Sequence, residues 1–396
     1  MSPLAYLFER FPSFGQTFCY REVAELFRRG VKPLIFSIRR PENDVAQQWD
    51  NRIAEQVEYC PDQAALTEEV LRATRKEQLA PDAIELIEEW GKRTDFLRLY
   101  QAVYIGLRLK EAGVGRVHAH FAGMAARTAY WVDKFFGIPF SFTAHANDIF
   151  VPREFEIGLS KLVDAARAVV TVSDYSADFL RTKFPQAAGK IHRIYNGIDC
   201  SQFNRADFST EPPLIIAVGR LIEKKGFGFL IEACDLLQNR GKEFRCEIIG
   251  DGPLGQALRG RIESLQLADK VALTGAKTQD EIVTRLGKAR CFVLPAVIDA
   301  NGDRDNLPTV ITEAMAAGLP VVSTNVAGIP EMVLNERTGF VLEPNDVTAL
   351  AGAMERLISD RLLAQKMGGA GYEHAKKLFS LEKNVAELQQ IFGRGD

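Results

Sequence analysis

The chain has 396 residues, of which 46% are hydrophobic and 26% are charged. This length and composition predict two or three globular domains with a large core, and they exclude a disordered or fibrous protein. Lysine and arginine total 49 against 52 acidic residues, which leaves a formal net charge of -3. We therefore expect no nucleic-acid partner bound through overall charge.

The six cysteines form no CxxC pair and no zinc-like cluster with histidine, which indicates free thiols in a reducing compartment. The N-terminal residues lack the basic start and long apolar core of a signal peptide. No stretch reaches the ~20 apolar residues that span a bilayer. We predict a cytoplasmic protein, with peripheral attachment at the inner face of the cell membrane left open.

Short apolar runs rich in β-branched residues recur along the chain, each followed by a longer amphipathic segment. They lie at 33–38, 116–121, 139–144 and 168–173, and then at 213–219, 245–250, 270–275, 290–295, 320–324 and 339–342. Continuous apolar strands that alternate with helices predict parallel sheets built from right-handed βαβ units. The predicted fold class is α/β.

The polar, proline-containing segment 204–213 interrupts this alternation and marks the predicted boundary. It divides the chain into domains at 1–205 and 206–379, each a doubly wound sheet. Ligands of such sheets bind beyond the C-terminal ends of the strands, so the cleft between the domains is the expected site.

Residues 42–112 are predicted to be mostly helical, and 93–111 mix aromatic, aliphatic and basic side chains. Such a segment can rest on an anionic bilayer as a peripheral contact. The alternative is a helix packed on a sheet with its basic side chains in solvent. We favour this alternative, because apolar stripes at helical spacing usually face a core.

The segment 305–318, DNLPTVITEAMAAG, predicts a helix that begins close to Leu307 and ends at Gly318. Its free backbone N–H groups suit a phosphate or diphosphate. Glu313 lies about a turn and a half into this helix, where its carboxylate can accept from paired ribose hydroxyls.

A second candidate phosphate site follows the predicted strand at 213–219. Arg220 and Lys225 flank a turn beside Gly219, and they place two cations where a departing diphosphate develops charge. We expect the neighbouring Lys224 to belong to a solvated turn.

Six blocks of sequence together suggest a family. They are FSFTAHANDIF (140–150), VTVSDYS (170–176), IYNGID (194–199), IAVGRLIEKKGF (216–227), IIGDGP (248–253) and DNLPTVITEAMAAGLPVVSTNVAGIPEMV (305–333). In this order they resemble the retaining nucleotide-sugar glycosyltransferases of glycosyltransferase family 4. The blocks FERFPSFGQTFCYREVAEL and VHAHFAGMAA resemble, more narrowly, bacterial members that build exopolysaccharide and other surface glycans.

The resemblance implies the GT-B fold, with two Rossmann-like domains facing each other across a cleft and a terminal helix at 380–396 packed back on the first domain. It implies that Arg220 and Lys225 hold the donor diphosphate and that Glu313 binds the ribose. It further implies that His145 lies near the reacting centre and that Gly15 lets the backbone approach the donor phosphate.

The family's E-x7-E signature departs from its usual form here, because Asp305 replaces the first glutamate eight positions before Glu313. In the family this acid holds hydroxyls of the transferred sugar, so the choice of donor sugar is open. The donor site would be completed by the backbone of four residues and one hydroxyl. These residues are Asn306, Leu307, Pro308 and Thr309, and the hydroxyl is that of Thr309.

Metal sites are weaker alternatives. Asp303 and Asp305 form a DxD pattern with Asp299 nearby, and His118, His120 and His145 follow adjacent strands. We expect neither a metal nor another cofactor, because arginine and lysine already supply the countercharge for phosphate. His120 is instead assigned to the acceptor side of the cleft.

These observations predict a metal-independent retaining hexosyltransferase that uses a nucleoside-diphosphate sugar and a hydroxyl of a glycan or lipid-linked acceptor. Two other classes remain open. The first is an enzyme of the same fold, such as a nucleotide-sugar epimerase or a glycoside phosphorylase. The second is a non-catalytic protein that binds a phosphorylated ligand.

Overall fold

The computed structural model describes residues 3–41 and 49–393, so parts of the predicted first domain (1–2 and 42–48) and of the predicted terminal helix (394–396) lie outside the described residues. The first sheet has its strands in the order β3-β2-β1-β4-β5-β6-β7, all parallel. These strands are β1 (Leu4–Arg10), β2 (Leu34–Arg39), β3 (Val57–Tyr59), β4 (Arg116–His120), β5 (Phe140–Ala144), β6 (Ala168–Thr171) and β7 (Ile191–Arg193).

The second sheet is also parallel throughout, in the order β10-β9-β8-β11-β12-β13. Its strands are β8 (Leu214–Val218), β9 (Arg245–Ile249), β10 (Val271–Leu273), β11 (Cys291–Leu294), β12 (Val321–Thr324) and β13 (Gly339–Leu342). In both sheets the strand order reverses beside the first strand, which creates the switch point where doubly wound folds bind ligands.

Helices connect the strands. The first half contains α1 (Thr17–Arg28), α2 (Asn51–Ala54), α3 (Gln63–Arg75), α4 (Pro81–Trp90), α5 (Leu97–Glu111), α6 (Met124–Phe136), α7 (Ala146–Phe150), α8 (Leu159–Ala165) and α9 (Asp174–Lys183). The second half contains α10 (Phe227–Asn239), α11 (Gly255–Ser264), α12 (Gln279–Leu286), α13 (Thr309–Ala316), α14 (Ile329–Met332), α15 (Val347–Ser359), α16 (Arg361–Leu378) and α17 (Leu381–Gly393).

Every predicted apolar run contains or overlaps a strand, which confirms the α/β fold class. The strands β1, β3 and β7 were not among the predicted runs. Strands β3 and β7 have three residues each, and a half-buried charged or polar side chain interrupts their apolar character. Both lie at an edge of the sheet, where one side of the strand lacks a neighbour and a continuous apolar pattern is not required.

The last helix, α17, packs on the first half of the chain. Val385, Leu388 and Phe392 are buried in the same core cluster as Tyr6 of β1. The Ser380 hydroxyl oxygen accepts the backbone N–H of the third helical residue at 3.4 Å, as expected for an N-cap. The core beneath β1 is therefore completed by residues from the opposite end of the sequence.

The segment 93–111 is largely engaged within the protein. Arg98 is buried, Arg108 Nη1 lies 3.6 Å from Glu69 Oε1, and Arg93 Nη1 lies 2.9 Å from Glu156 Oε1. Basic side chains held in this way are less available to a bilayer, so the structure favours the packed-helix interpretation. Within the described ranges, no helix is both long enough and apolar enough to cross a membrane.

Candidate active site between the two sheets

Segments that follow strands of the two sheets meet each other, which places a cleft at the C-terminal ends of the strands. The Ser173 hydroxyl, after β6, donates to Asn306 Oδ1 at 2.6 Å. The Glu331 carboxylate accepts the backbone N–H groups of Asp174 and Tyr175 at 2.8 and 2.9 Å. The residues that the sequence assigned to donor binding lie beside these contacts.

Lys225 and Asp305 are brought together on the second side of the cleft. The Lys225 Nζ lies 2.5 Å from Asp305 Oδ2, although 80 positions separate the residues, and each side chain is 12% exposed. Gly226 makes this approach possible. It has φ +66°, and a Cβ there would lie 1.8 Å from the Pro295 carbonyl oxygen. The turn after β8 is thereby held against the segment that follows β11.

Lys224 corrects the expectation of a solvated turn, because its side chain is only 7% exposed. Its Nζ lies 2.9 Å from Asp303 Oδ2 and 3.5 Å from Asp305 Oδ1. Burial acts to raise the pKa of Asp305, but the ammonium groups of Lys225 and Lys224 lower it below its ordinary value. Asp305 is therefore an ionised carboxylate held between two lysines.

The acids of the DxD pattern have partners other than a metal among the described residues. Lys224 contacts both Asp303 and Asp305, as described above. One oxygen of Asp299 accepts the backbone N–H groups of Asn301 and Asp303, both at 2.9 Å.

The helix α13 begins at Thr309, with Pro308 as its N-cap in an extended conformation (φ -63°, ψ 113°). The predicted start near Leu307 is thus two residues early, because Pro308 precedes the first helical residue instead of occupying the first turn. Leu307 and Pro308 are buried, while Thr309 is half-buried. The first N–H groups of the helix have no partner within it, as helix geometry requires.

Asn306 is engaged within the protein. Its side chain is buried and bonds to two first-half hydroxyls, with its Nδ2 donating to Ser176 Oγ at 3.0 Å as well as its Oδ1 accepting from Ser173. Its backbone carbonyl oxygen accepts the Gly328 N–H, also at 3.0 Å. Asn306 therefore joins the two halves.

Glu313 also contacts the first half. Its Oε1 accepts from Arg21 Nη2 of α1 at 2.6 Å, and the two side chains are 5% and 13% exposed. By contrast, Arg220 and Gly15 are exposed at the cleft, and within the described part of the chain the Arg220 side chain makes no ion pair. An added Cβ at Gly15 would meet nothing within 4 Å.

His145 caps the short helix α7 and lies between the rings of Phe121 and Phe18, with centroid distances of 4.4 and 4.9 Å. Burial lowers its pKa well below the ordinary value, and the nearby His120 lowers it further. His145 is therefore a neutral imidazole, which can donate or accept a hydrogen bond without adding charge.

His120 is buried in the core and contacts the His145 ring. Its Nδ1 lies 3.4 Å from His145 Nε2, and its Nε2 lies 3.2 Å from Glu22 Oε1. Burial lowers the pKa of His120, but Cys19 and Glu22 at its ring nitrogens raise it to about 10. With 1% of its surface exposed, His120 reaches no solvent. The structure therefore places His120 in the core against His145, and its assignment to the acceptor side stays a prediction.

The three-histidine metal site is only partly assembled. Glu22, His118 and His120 place ligand atoms within 4.8 Å of one another. Both ring nitrogens of His118, however, already bond to hydroxyls, those of Ser141 at 2.8 Å and Thr143 at 3.0 Å. These bonds account for the buried imidazole without a metal.

Two family models match successive parts of the chain. Residues 15–202 match the model described as Glycosyltransferase Family 4, and residues 201–374 match Glycosyl transferases group 1. Together these two glycosyltransferase models span residues 15–374, and each covers just under half of the chain.

Individual glycosyltransferases are similar over shorter stretches. The chain is 43% identical over 200 residues to the putative colanic acid biosynthesis glycosyltransferase WcaL of Escherichia coli (strain K12), which covers 49% of each protein. It is 41% identical over 172 residues to the amylovoran biosynthesis glycosyltransferase AmsK of Erwinia amylovora, which covers 43% of this chain and 42% of that protein. The chain thus spans about half, or less, of the length of these relatives.

A solved structure shares the fold of this chain over its whole length. Alr3699/HepE from Anabaena, crystallised in complex with UDP, superposes with a TM-score of 0.71 at 18% identity and covers 99% of both chains. This likeness confirms the two-domain GT-B fold implied by the sequence blocks.

The sequence patterns did not point to several residues that shape the cleft. Arg21, Glu22 and Lys224 contact Glu313, His120 and the aspartates, respectively. One signal was available for the first two. They are adjacent charged residues on α1, directly after the loop that contains Gly15, where strand-to-helix connections of this fold meet their ligands.

Proposed function

We propose that this chain is a retaining, metal-independent glycosyltransferase. It moves a sugar from a nucleoside diphosphate to a hydroxyl of a glycan or lipid-linked acceptor in bacterial surface-glycan synthesis. The main support is the arrangement of Lys225, Asp305 and the start of α13 at one side of the cleft. The relatives named for colanic acid and amylovoran biosynthesis support the surface-glycan role.

In this proposal, charge stabilisation drives the reaction. The bond between the sugar C1 and the diphosphate oxygen breaks, and Arg220, Lys225 and the helix N-terminus neutralise the developing negative charge. The acceptor oxygen forms its bond to C1 on the same face, and its proton passes to the leaving phosphate oxygen. The products are the glycosylated acceptor and a nucleoside diphosphate.

The remaining side chains orient the donor. Glu313 accepts from the ribose hydroxyls, and Asp305 and the neutral His145 bond to hydroxyls of the transferred sugar. Lys225 contacts Asp305 before the donor arrives, so the carboxylate is preorganised and the ammonium can also face the phosphate. Metal independence is supported by Lys224, whose ammonium lies between Asp303 and Asp305 where a DxD metal would bind.

The direct test uses Arg220→Ala and Lys225→Ala with donor turnover as the measurement. Loss of one such group typically costs ~2.7–4 kcal/mol in the transition state, so kcat should fall by about 10²–10³. Arg337→Ala is the matched control. Arg337 is exposed and lies just before β13, so it lies at the N-terminal ends of the strands and not at the C-terminal ends that face the cleft. Near wild-type turnover in both cleft variants would overturn the proposal.

A further inference from the structure

A pocket of about 410 Å³ opens in the first half, beside the cleft. Side chains on or near α7, α8 and α9 line it, among them Phe150, Phe155 and Phe179. At its inner side lies Asp148, whose carboxylate accepts the backbone N–H of His145 at 3.0 Å. The pocket therefore shares a wall with the proposed reacting centre.

Exposed aromatic rings gather at this pocket. Phe155 and Phe179 line it with 40% and 39% of their surface exposed, and Tyr175, 41% exposed, lies 5.9 Å from the Phe150 ring. No other aromatic side chain of the described ranges is as exposed as these three. Single exposed apolar residues are ordinary, but a cluster beside a cleft indicates a binding surface.

The charged residues that line the pocket itself are balanced in sign. Arg153 and Lys183 line the pocket together with Glu154 and Asp148. A hydrocarbon chain would remove these polar groups from water without giving them partners, which is unfavourable. An anionic ligand would meet as many acids as bases. A ligand with an apolar face and a rim of neutral hydroxyls fits best. Its apolar face can pack on the aromatic rings, and its hydroxyls can hydrogen-bond to the charged side chains.

A residue from the second half of the protein also lies beside this pocket. The Arg304 Cζ lies 5.0 Å from the centroid of the Phe150 ring, and Arg304 adjoins Asp305 in the sequence. A ligand in the pocket would thus lie between the His145 side and the Asp305 side of the cleft.

We propose that this pocket binds a neutral saccharide, namely the acceptor sugar next to the hydroxyl that is glycosylated. Phe155 and Phe179 stack against pyranose ring faces, and the flanking charged side chains bond to hydroxyls. This assignment rests on the proposed function, since it names the acceptor class of the same cleft.

The test measures binding of methyl glycosides of glucose, galactose, mannose and fucose to the full chain by saturation-transfer NMR. The double variant Phe155→Leu/Phe179→Leu keeps apolar bulk but loses the ring faces, and binding should weaken about tenfold or more. Phe155→Tyr/Phe179→Tyr keeps the rings and should retain binding. Leu71→Ala, an exposed apolar residue on α3, is the control and should change nothing.

UDP and GDP binding by thermal shift separates this proposal from the proposed function. Nucleotide binding should persist in the leucine variant, whereas Lys225→Ala should weaken it and leave glycoside binding intact. If no nucleotide binds the wild type, the proposed function fails, while the glycoside result still decides the role of the pocket. Absence of glycoside binding by the wild type, equal binding by the leucine variant, or binding only of phospholipid vesicles would overturn the pocket assignment.

Discussion

Arg21 Nη2 lies 2.6 Å from Glu313 Oε1, although the two residues are 292 positions apart. The adjacent Glu22 contacts His120, which in turn contacts His145. Two adjacent residues of α1 therefore contact Glu313, the proposed ribose-binding acid, and His120, which contacts His145 at the proposed reacting centre.

We expect Arg21→Ala to lower the melting temperature by several degrees, because a mostly buried Glu313 carboxylate loses its partner. An unsatisfied buried group costs roughly 1–3 kcal/mol. A double-mutant cycle with Glu313→Ala isolates the pair, and Arg21→Ala should cost less in that background. Equal shifts in both backgrounds would show that the ion pair contributes nothing.

Lys224→Met should destabilise the protein, because Asp303 would lose its ion-pair partner and Asp305 would keep only Lys225. Loss of one partner from a buried ion pair typically costs about 3–5 kcal/mol. Adding Asp303→Asn should restore part of the melting temperature, since one uncompensated charge is removed. Lys288→Met, at an exposed lysine after α12, is the control. A melting temperature for Lys224→Met equal to that of this control would contradict the buried pairing.

The raised pKa of His120 predicts a pH-dependent contribution to stability. Because the folded pKa of about 10 exceeds the unfolded value of 6.5, the charged imidazole stabilises the fold fully below pH 6.5. That contribution is lost as the pH rises towards 10. The difference in melting temperature between wild type and His120→Gln should shrink over this window. His374→Gln, outside the cluster, is the control, and a difference that grows with pH would refute the assignment.

Removal of divalent metals should leave transferase activity largely unchanged. Lys224 and Lys225 already balance Asp305, and Arg220 adds a cation for the diphosphate. Activity is compared before and after dialysis against EDTA, with a parallel sample re-supplied with Mn²⁺. Strict dependence on the added metal would restore the DxD interpretation of Asp303 and Asp305.

Phe392→Ala should destabilise the first half of the chain, although it lies in the last helix. Its ring packs 4.9 Å from His118 and 6.2 Å from Tyr6, and deletion of such a buried ring typically costs about 3–5 kcal/mol. Hydrogen exchange in β1 and β4 should accelerate. Gln390→Ala, exposed on the same helix, should leave exchange unaffected. Unchanged protection in the Phe392 variant would show that α17 is dispensable to that core.

The sequence patterns predicted most of the fold, because buried parallel strands require continuous apolar runs, and ten of the thirteen strands that the structure describes lie in or overlap such runs. They also singled out Lys225, Asp305, Glu313 and His145, whose roles in the site stay predictions. The patterns could not predict which side chains from distant parts of the sequence contact each other. Lys224 has the composition of a solvated turn, and its burial follows only from the approach of the segment after β11. The burial of His120 could not be predicted either, because strand alternation gives its face of the sheet but not the helix that covers it.

The packing of α17 against β1 has a consequence for biosynthesis. In the chain β1 precedes α17, so the apolar face around Tyr6 stays uncovered while the residues between these two elements are synthesised. The nascent first half therefore has an incomplete core, and it is exposed to aggregation until α17 has been synthesised and packs on β1.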